Sequence, residues 1–226
     1  MRKLLFGCLI LGLTLAFPSY AASRTGWCET STSSCLVVHK GQSWQSLFPD
    51  EYQRGIVMRV NRTNASLHAG KVIKIPHNLA SSSLLDHSPF AHQINPPNEK
   101  LMIFDPVKHA WAAYDADGTL VNWGPATGGN TWCKDINRSC KTKSGYFRVY
   151  SLGSAGCKSS KFPVGKGGAP MPYCMFFNGG QAFHGSPGAV VAGNVSHGCV
   201  RLFVDDARWL RYNFITVGTK VIVRPY

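Results

Sequence analysis

Between residues 36 and 76 the apolar positions change spacing in a way that lays out a small unit. Leu36, Val37 and Val38 run into Gly41, which predicts a strand closed by a glycine turn. Ser43 then stands as an N-cap before Trp44, Leu47 and Phe48, which recur at helical intervals. Ile56, Val57 and Val60 give a second helical face before Asn61. Leu67, a turn at Gly70, and Val72, Ile73 and Ile75 make a closing strand, with Pro76 as its stop. The pattern predicts strand, helix, helix, strand: a small α+β (βααβ) unit.

The pattern then fades. Residues 78–98 carry Ser81-Ser82-Ser83 and Pro89, Pro96 and Pro97, and read as a spacer. His77, His87 and His92 are too irregularly spaced for a ligand set and read as solvated. From Lys100 onward the chain is mainly β: 101–104, 110–114, an Asp117-Gly118 turn leading into 119–123, then 146–150, 175–177 and 217–223. The stretch 205–214 alone reads as a helix, with Asp205 and Asp206 suited to its positive N-terminus. A β-sandwich or barrel with one helix fits this half.

Composition adds a compartment. Arg2 and Lys3 precede the apolar run Leu4–Phe17, and Ser19-Tyr20-Ala21 supplies small residues for a cut after Ala21, the order of an export signal. No apolar run reaches the roughly 18 residues of a membrane-crossing helix, so no transmembrane anchor is expected. The organisation that follows is signal 1–21, βααβ unit 22–77, spacer 78–98 and β domain 99–226. Beyond Cys8, seven cysteines remain, and an odd number in an exported chain suggests bridges plus one free thiol. Local pairing of Cys28 with Cys35, Cys133 with Cys140 and Cys157 with Cys174 is attractive, although spacing alone leaves other connectivities open. No Cys-x-x-Cys knuckle occurs, so neither a metal nor a cofactor is expected.

Cys199 is then the free thiol, and it sits in Ser196-His197-Gly198-Cys199-Val200-Arg201, downstream of His184-Gly185. A thiolate, a base to generate it and amides for an oxyanion are the needs of nucleophilic cysteine chemistry. Cys199 supplies the first, His184 or His197 the second, and Gly198 lets the backbone turn.

These residues resemble the signature of the L,D-transpeptidase (YkuD-type) catalytic domain. The likeness extends through Ala126-Thr127-Gly128-Gly129, Gly145–Val149, Met171–Phe177 and Asp206–Leu210, with Thr142-Lys143-Ser144-Gly145 departing from the usual pattern. The resemblance implies that Cys199 attacks the third-residue carbonyl of a peptidoglycan tetrapeptide stem, expels D-Ala, and passes the acyl group to an amine. His184 would be base and acid, held by the Gly185 carbonyl. Gly198 and Cys199 would donate to the oxyanion, and His197 would shape the turn and assist. Arg201, Tyr173, Met171 and Ser196 would contact substrate. The βααβ unit resembles a LysM module through Val38, Gly41–Trp44, Asn61, Leu67, Gly70 and Ile73–Pro76, which implies binding of glycan strands from the end of a flexible tether.

The charge agrees with an acidic partner. Lys and Arg total 24 against 11 Asp and Glu, a formal charge of +13. Lys134, Arg138, Lys141, Lys143, Arg148, Lys158, Lys161 and Lys166 crowd one stretch opposed only by Asp135. Export argues against nucleic acid and for carboxylate-bearing wall peptides in the periplasm or envelope, with an envelope protein among the acceptors allowed. An L,D-carboxypeptidase, an amidase acting on wall-linked protein and a non-catalytic wall-binding protein are the alternatives.

Overall fold

The computed structural model describes residues 26–163 and 165–226, so the export-signal segment lies outside the described residues. The N-terminal unit consists of β1 (Ser33–Val37), α1 (Trp44–Leu47), α2 (Glu51–Val60) and β2 (Val72–Pro76), with β1 and β2 antiparallel from Ser33↔Pro76 to Val37↔Val72. Ser43 caps α1 through a reciprocal pair with Ser46. Asp50 caps α2 by accepting the Gln53 N–H at 2.8 Å. Val38, Trp44, Phe48, Val57 and Ile73 form the unit's core. Pro76 is the last residue of β2 rather than its stop, on a strand with a single neighbour, where a missing N–H is tolerated.

The rest of the chain supplies β3 (Leu101–Asp105), β4 (Ala110–Tyr114), β5 (Leu120–Thr127), β6 (Gly145–Arg148), β7 (Ser151–Leu152), β8 (Met175–Asn178), β9 (Gln181–Gly185), β10 (Val200–Leu202) and β11 (Lys220–Val223). They form one sheet in the order β6-β11-β3-β4-β5-β10-β9-β8-β7. The β11–β3 and β9–β10 pairs are parallel. The sheet curls into a half-barrel: Phe147 of β6 and Phe177 of β8, far apart in that order, have ring centroids 5.6 Å apart. Helix α3 (Val204–Trp209) continues in wider π-type turns to Phe214 and closes the core with Ala207, Leu210 and Phe214.

All of β3 is buried, because both of its faces are covered. Met102 and Phe104 point into the half-barrel core, while Leu101 and Ile103 join a second cluster with Ala112, Tyr114 and Trp123. That second cluster is covered by the segment read as a spacer. Phe90 is buried in it, and Leu84, Leu85 and Ile94 pack against it. Trp123 Nε1 donates to the Leu84 carbonyl at 2.8 Å and Tyr114 Oη to that of Ala91 at 2.7 Å. Residues 78–98 are therefore a packed strap, not a flexible spacer. Their apolar residues follow no period because they answer to the sheet below rather than to a strand or helix of their own.

Asp206 lies in the first turn of α3, as its charge suggested, and is buried there and paired with Arg59 of α2. Disulfides join Cys28–Cys35, Cys133–Cys140 and Cys157–Cys174, the local pairing, and leave Cys199 as the free cysteine among the described residues. No helix of the described residues is long and apolar enough to cross a membrane.

Candidate active site

The parallel pairing of β9 with β10 sets Phe183 opposite Val200 and His184 opposite Arg201. Alternation along a strand then sorts the side chains. Phe183, Val200 and Leu202 enter the half-barrel core. His184, Arg201 and, two residues before Arg201, Cys199 take the other face. All three line a cavity of about 600 Å³.

His184 is buried, and its Nδ1 lies 2.8 Å from the Gly185 carbonyl oxygen. A carbonyl only accepts, so Nδ1 carries the proton and Nε2 is left with its lone pair. Burial, aided by the positive charge of Arg201, lowers the His184 pKa to about 4, so the imidazole is neutral at neutral pH. Cys199 is half-buried, with Sγ 3.6 Å from the Gly180 carbonyl. Burial raises its thiol above the ordinary range, partly offset by the Ala182 backbone and Arg201. Both shifts favour a neutral thiol and a neutral imidazole in the same cavity over a preformed ion pair.

The turn that presents Cys199 is tightly braced. Gly198 has φ +118, and a Cβ there would come within 3.0 Å of Gln181 Nε2 and 3.4 Å of the Cys140 carbonyl oxygen. Ser196 Oγ accepts the Gly198 N–H at 3.0 Å and donates to the Cys199 carbonyl at 2.5 Å. Thr142 Oγ1 donates to the Gly198 carbonyl at 3.0 Å. Ser196 lines the cavity, but its hydroxyl serves the turn rather than being held out to a ligand. The Gly198 amide, expected as an oxyanion donor, is engaged by that hydroxyl. Gly198 contributes backbone geometry instead.

His197 also stands apart from the role expected of it. Its Nε2 lies 2.7 Å from Asp135 Oδ2, and its ring packs on Phe162 with centroids 4.6 Å apart. It forms part of the rim, while His184 has the buried position beside Arg201. Met171 lines the cavity and is buried. Tyr173 is not part of the lining; its ring meets Tyr212 edge-on at 5.7 Å. Cys133, Cys140 and His197 cluster closely enough to suggest a metal site. Cys133 and Cys140 are joined as a disulfide and have no thiolate to offer.

Two disulfide-stapled loops wall the cavity. The Cys133–Cys140 loop and its flank bring Arg138 and Lys141, and the Cys157–Cys174 loop brings Lys158 and Lys161. With Arg201 the lining carries, among the described residues, five Lys and Arg and no Asp or Glu. The crowding of Lys and Arg along the sequence foreshadows this field. The parts played by Asp135, Gly180 and Gln181 have no sequence signal, since each depends on which loops meet across the cavity.

The YkuD family, described as the L,D-transpeptidase catalytic domain, matches residues 99–223. Among solved structures, an L,D-transpeptidase from Xylanimonas cellulosilytica is 24% identical over 75% of this chain and 78% of its own, with a TM-score of 0.55. An L,D-transpeptidase from Mycobacterium smegmatis is 24% identical over 56% of this chain and 59% of its own, with a TM-score of 0.46. The first of these likenesses is one of fold. The curated proteins contain no match.

Proposed function

Since the chain belongs to the YkuD L,D-transpeptidase family, we propose that it acts on peptidoglycan stem peptides through a thioester at Cys199. The observation that most supports this reading is a neutral His184, with Nδ1 held by the Gly185 carbonyl, sharing one sheet face and one cationic cavity with the free Cys199.

As Sγ bonds to the carbonyl carbon of the third stem residue, the thiol proton passes to Nε2 of His184. The carbonyl π electrons move to oxygen, and the Cys199 N–H is assigned as the donor to that oxyanion. Collapse of the adduct breaks the bond to D-Ala, whose departing amine takes the proton from the imidazolium. An imidazolium with a pKa lowered to about 4 is a stronger acid than an ordinary one, which suits it to that donation. The acceptor amine then attacks the thioester and loses its proton to His184; the C–S bond breaks, and the departing Cys199 thiolate takes that proton from the imidazolium. Burial makes the initial proton transfer unfavourable at rest, so the thiolate forms mainly as charge develops on the substrate.

Arg201 and the loop cations supply a field for a donor that carries several carboxylates. The N-terminal unit, taken as residues 22–77, fits a glycan-strand binder in an exported, disulfide-bonded protein. Incubation of the oxidised protein with disaccharide-tetrapeptide, read by mass, tests the reading. Cross-linked dimer lacking one D-Ala is expected. A shortened monomer alone would assign water as the acceptor, and an unchanged substrate would refute the reading.

A further inference from the structure

The connection from His184 to Cys199 is gripped by the N-terminal unit. At the end of α2, Thr63 Oγ1 donates to the Val190 carbonyl at 2.8 Å. Asn64 Oδ1 accepts the Val190 N–H at 2.8 Å, and the Asn64 N–H reaches the Val190 carbonyl at 3.3 Å. Both backbone groups of Val190, a fully buried residue, are thus satisfied by the N-terminal unit. The neighbouring residue is held by the half-barrel: Thr127 Oγ1 lies 3.1 Å from the Val191 nitrogen and 2.7 Å from its carbonyl oxygen. Asn194 continues the attachment, accepting from the Gly128 N–H and donating to the Pro106 carbonyl.

A second grip lies beyond Cys199. Arg59 pairs with buried Asp206 on α3 and sits over the Phe203 ring, 5.4 Å from its centroid. Arg62 adds a bond from Nε to the Lys108 carbonyl at 3.1 Å and covers the Trp123 ring at 5.0 Å. The unit therefore holds the chain both before and after the Cys199 turn and β10. This is not the geometry of a tether, whose attachments would lie away from the site.

We propose that the N-terminal unit is a positioning element of the active site, with Asn64 the residue that sets the His184–Cys199 connection. The proposal rests on Cys199 and His184 being the reacting pair. Without Asn64, the buried Val190 amide loses its acceptor and the connection shifts or loosens where Cys199 is presented. A misplacement of the reacting atoms lowers turnover more than ground-state binding.

The test uses the full oxidised protein with Asn64→Leu and Asn64→Asp, since aspartate keeps an acceptor for the Val190 N–H. Asn64→Leu is expected to lower kcat on soluble disaccharide-tetrapeptide about tenfold with KM within about twofold, and to change the rate of Cys199 alkylation. Asn64→Asp is expected to recover most of the loss. Should Asn64→Leu fail to fold, Thr63→Val removes one grip at nearly constant shape and is expected to shift kcat in the same direction. Wild-type kcat and alkylation rate in a folded Asn64→Leu, or in Thr63→Val when that variant stands in, would overturn the proposal. An equal loss in Asn64→Asp would do the same. If the wild type itself gives no turnover, the functional reading fails, and the alkylation rates still decide whether Asn64 positions Cys199.

Discussion

His184 links the active site to folding stability, and the link has a definite sign. The ordinary imidazole pKa of 6.5 falls to about 4 in the folded protein because the ring is buried. Between those values the unfolded chain binds a proton that the native state excludes, so stability rises with pH across the window. The contribution is fully present above about pH 6.5 and is lost as pH falls towards 4. The fall from 6.5 to about 4, at about 1.4 kcal/mol per pH unit, amounts to about 3–4 kcal/mol. His184→Gln keeps a polar side chain of similar reach and cannot titrate. Urea unfolding of the oxidised wild type and variant at pH 7.5 and 4.5 would isolate the share of His184. Differencing between the proteins cancels the other groups, including His87 and His109, which burial shifts in the same direction. With an m-value of about 2 kcal/mol/M, the wild-type midpoint should drop by about 1 M more than that of the variant. Equal drops would mean that the native imidazole titrates normally, and the lowering of its pKa by burial would be wrong.

Cys199→Ala should abolish turnover and thiol labelling. A carbapenem, whose strained carbonyl invites the same attack, should add once to the wild type and not to this variant, as read by intact mass. Arg59→Met should destabilise the protein by about 3–5 kcal/mol near neutral pH by stranding a buried carboxylate. The deficit should shrink at pH 5, because burial already raises Asp206 to about 6 and protonation removes the stranded charge; melting temperatures at the two pH values measure this. Lys158→Gln with Lys161→Gln should raise KM for the tetrapeptide about fivefold, leave kcat within about twofold, and flatten the dependence of KM on salt. An unchanged KM would mean that these cations do not meet the substrate.

Much of the chemistry is legible in the chain itself. The odd count of cysteines beyond Cys8, the glycine before Cys199 and a preceding His-Gly step are local facts of sequence. Short-range bridges, Ser43 as a cap and the helical faces of Trp44 and Ile56 also depend on neighbours a few residues away. The apolar run at 101–104 announces a strand. That both its faces are buried is not visible there, because the covering strap, with Leu84, Leu85, Phe90 and Ile94, follows no period. Proximity to Cys199 draws Ser196, Gly198 and His197 into the site, yet their polar atoms serve the turn and the rim.

The sequence by itself determined which cysteine local pairing leaves over, the order of the main elements and the excess of cations. Each follows from residue type and spacing within one segment. Tertiary structure decided which histidine shares the sheet face of Cys199, because that depends on the register of β9 against β10. It decided that Asp206 faces Arg59 rather than solvent, and that the N-terminal unit holds Val190 rather than trailing from a linker. Those contacts join residues more than a hundred positions apart, and only the packed fold brings such partners together.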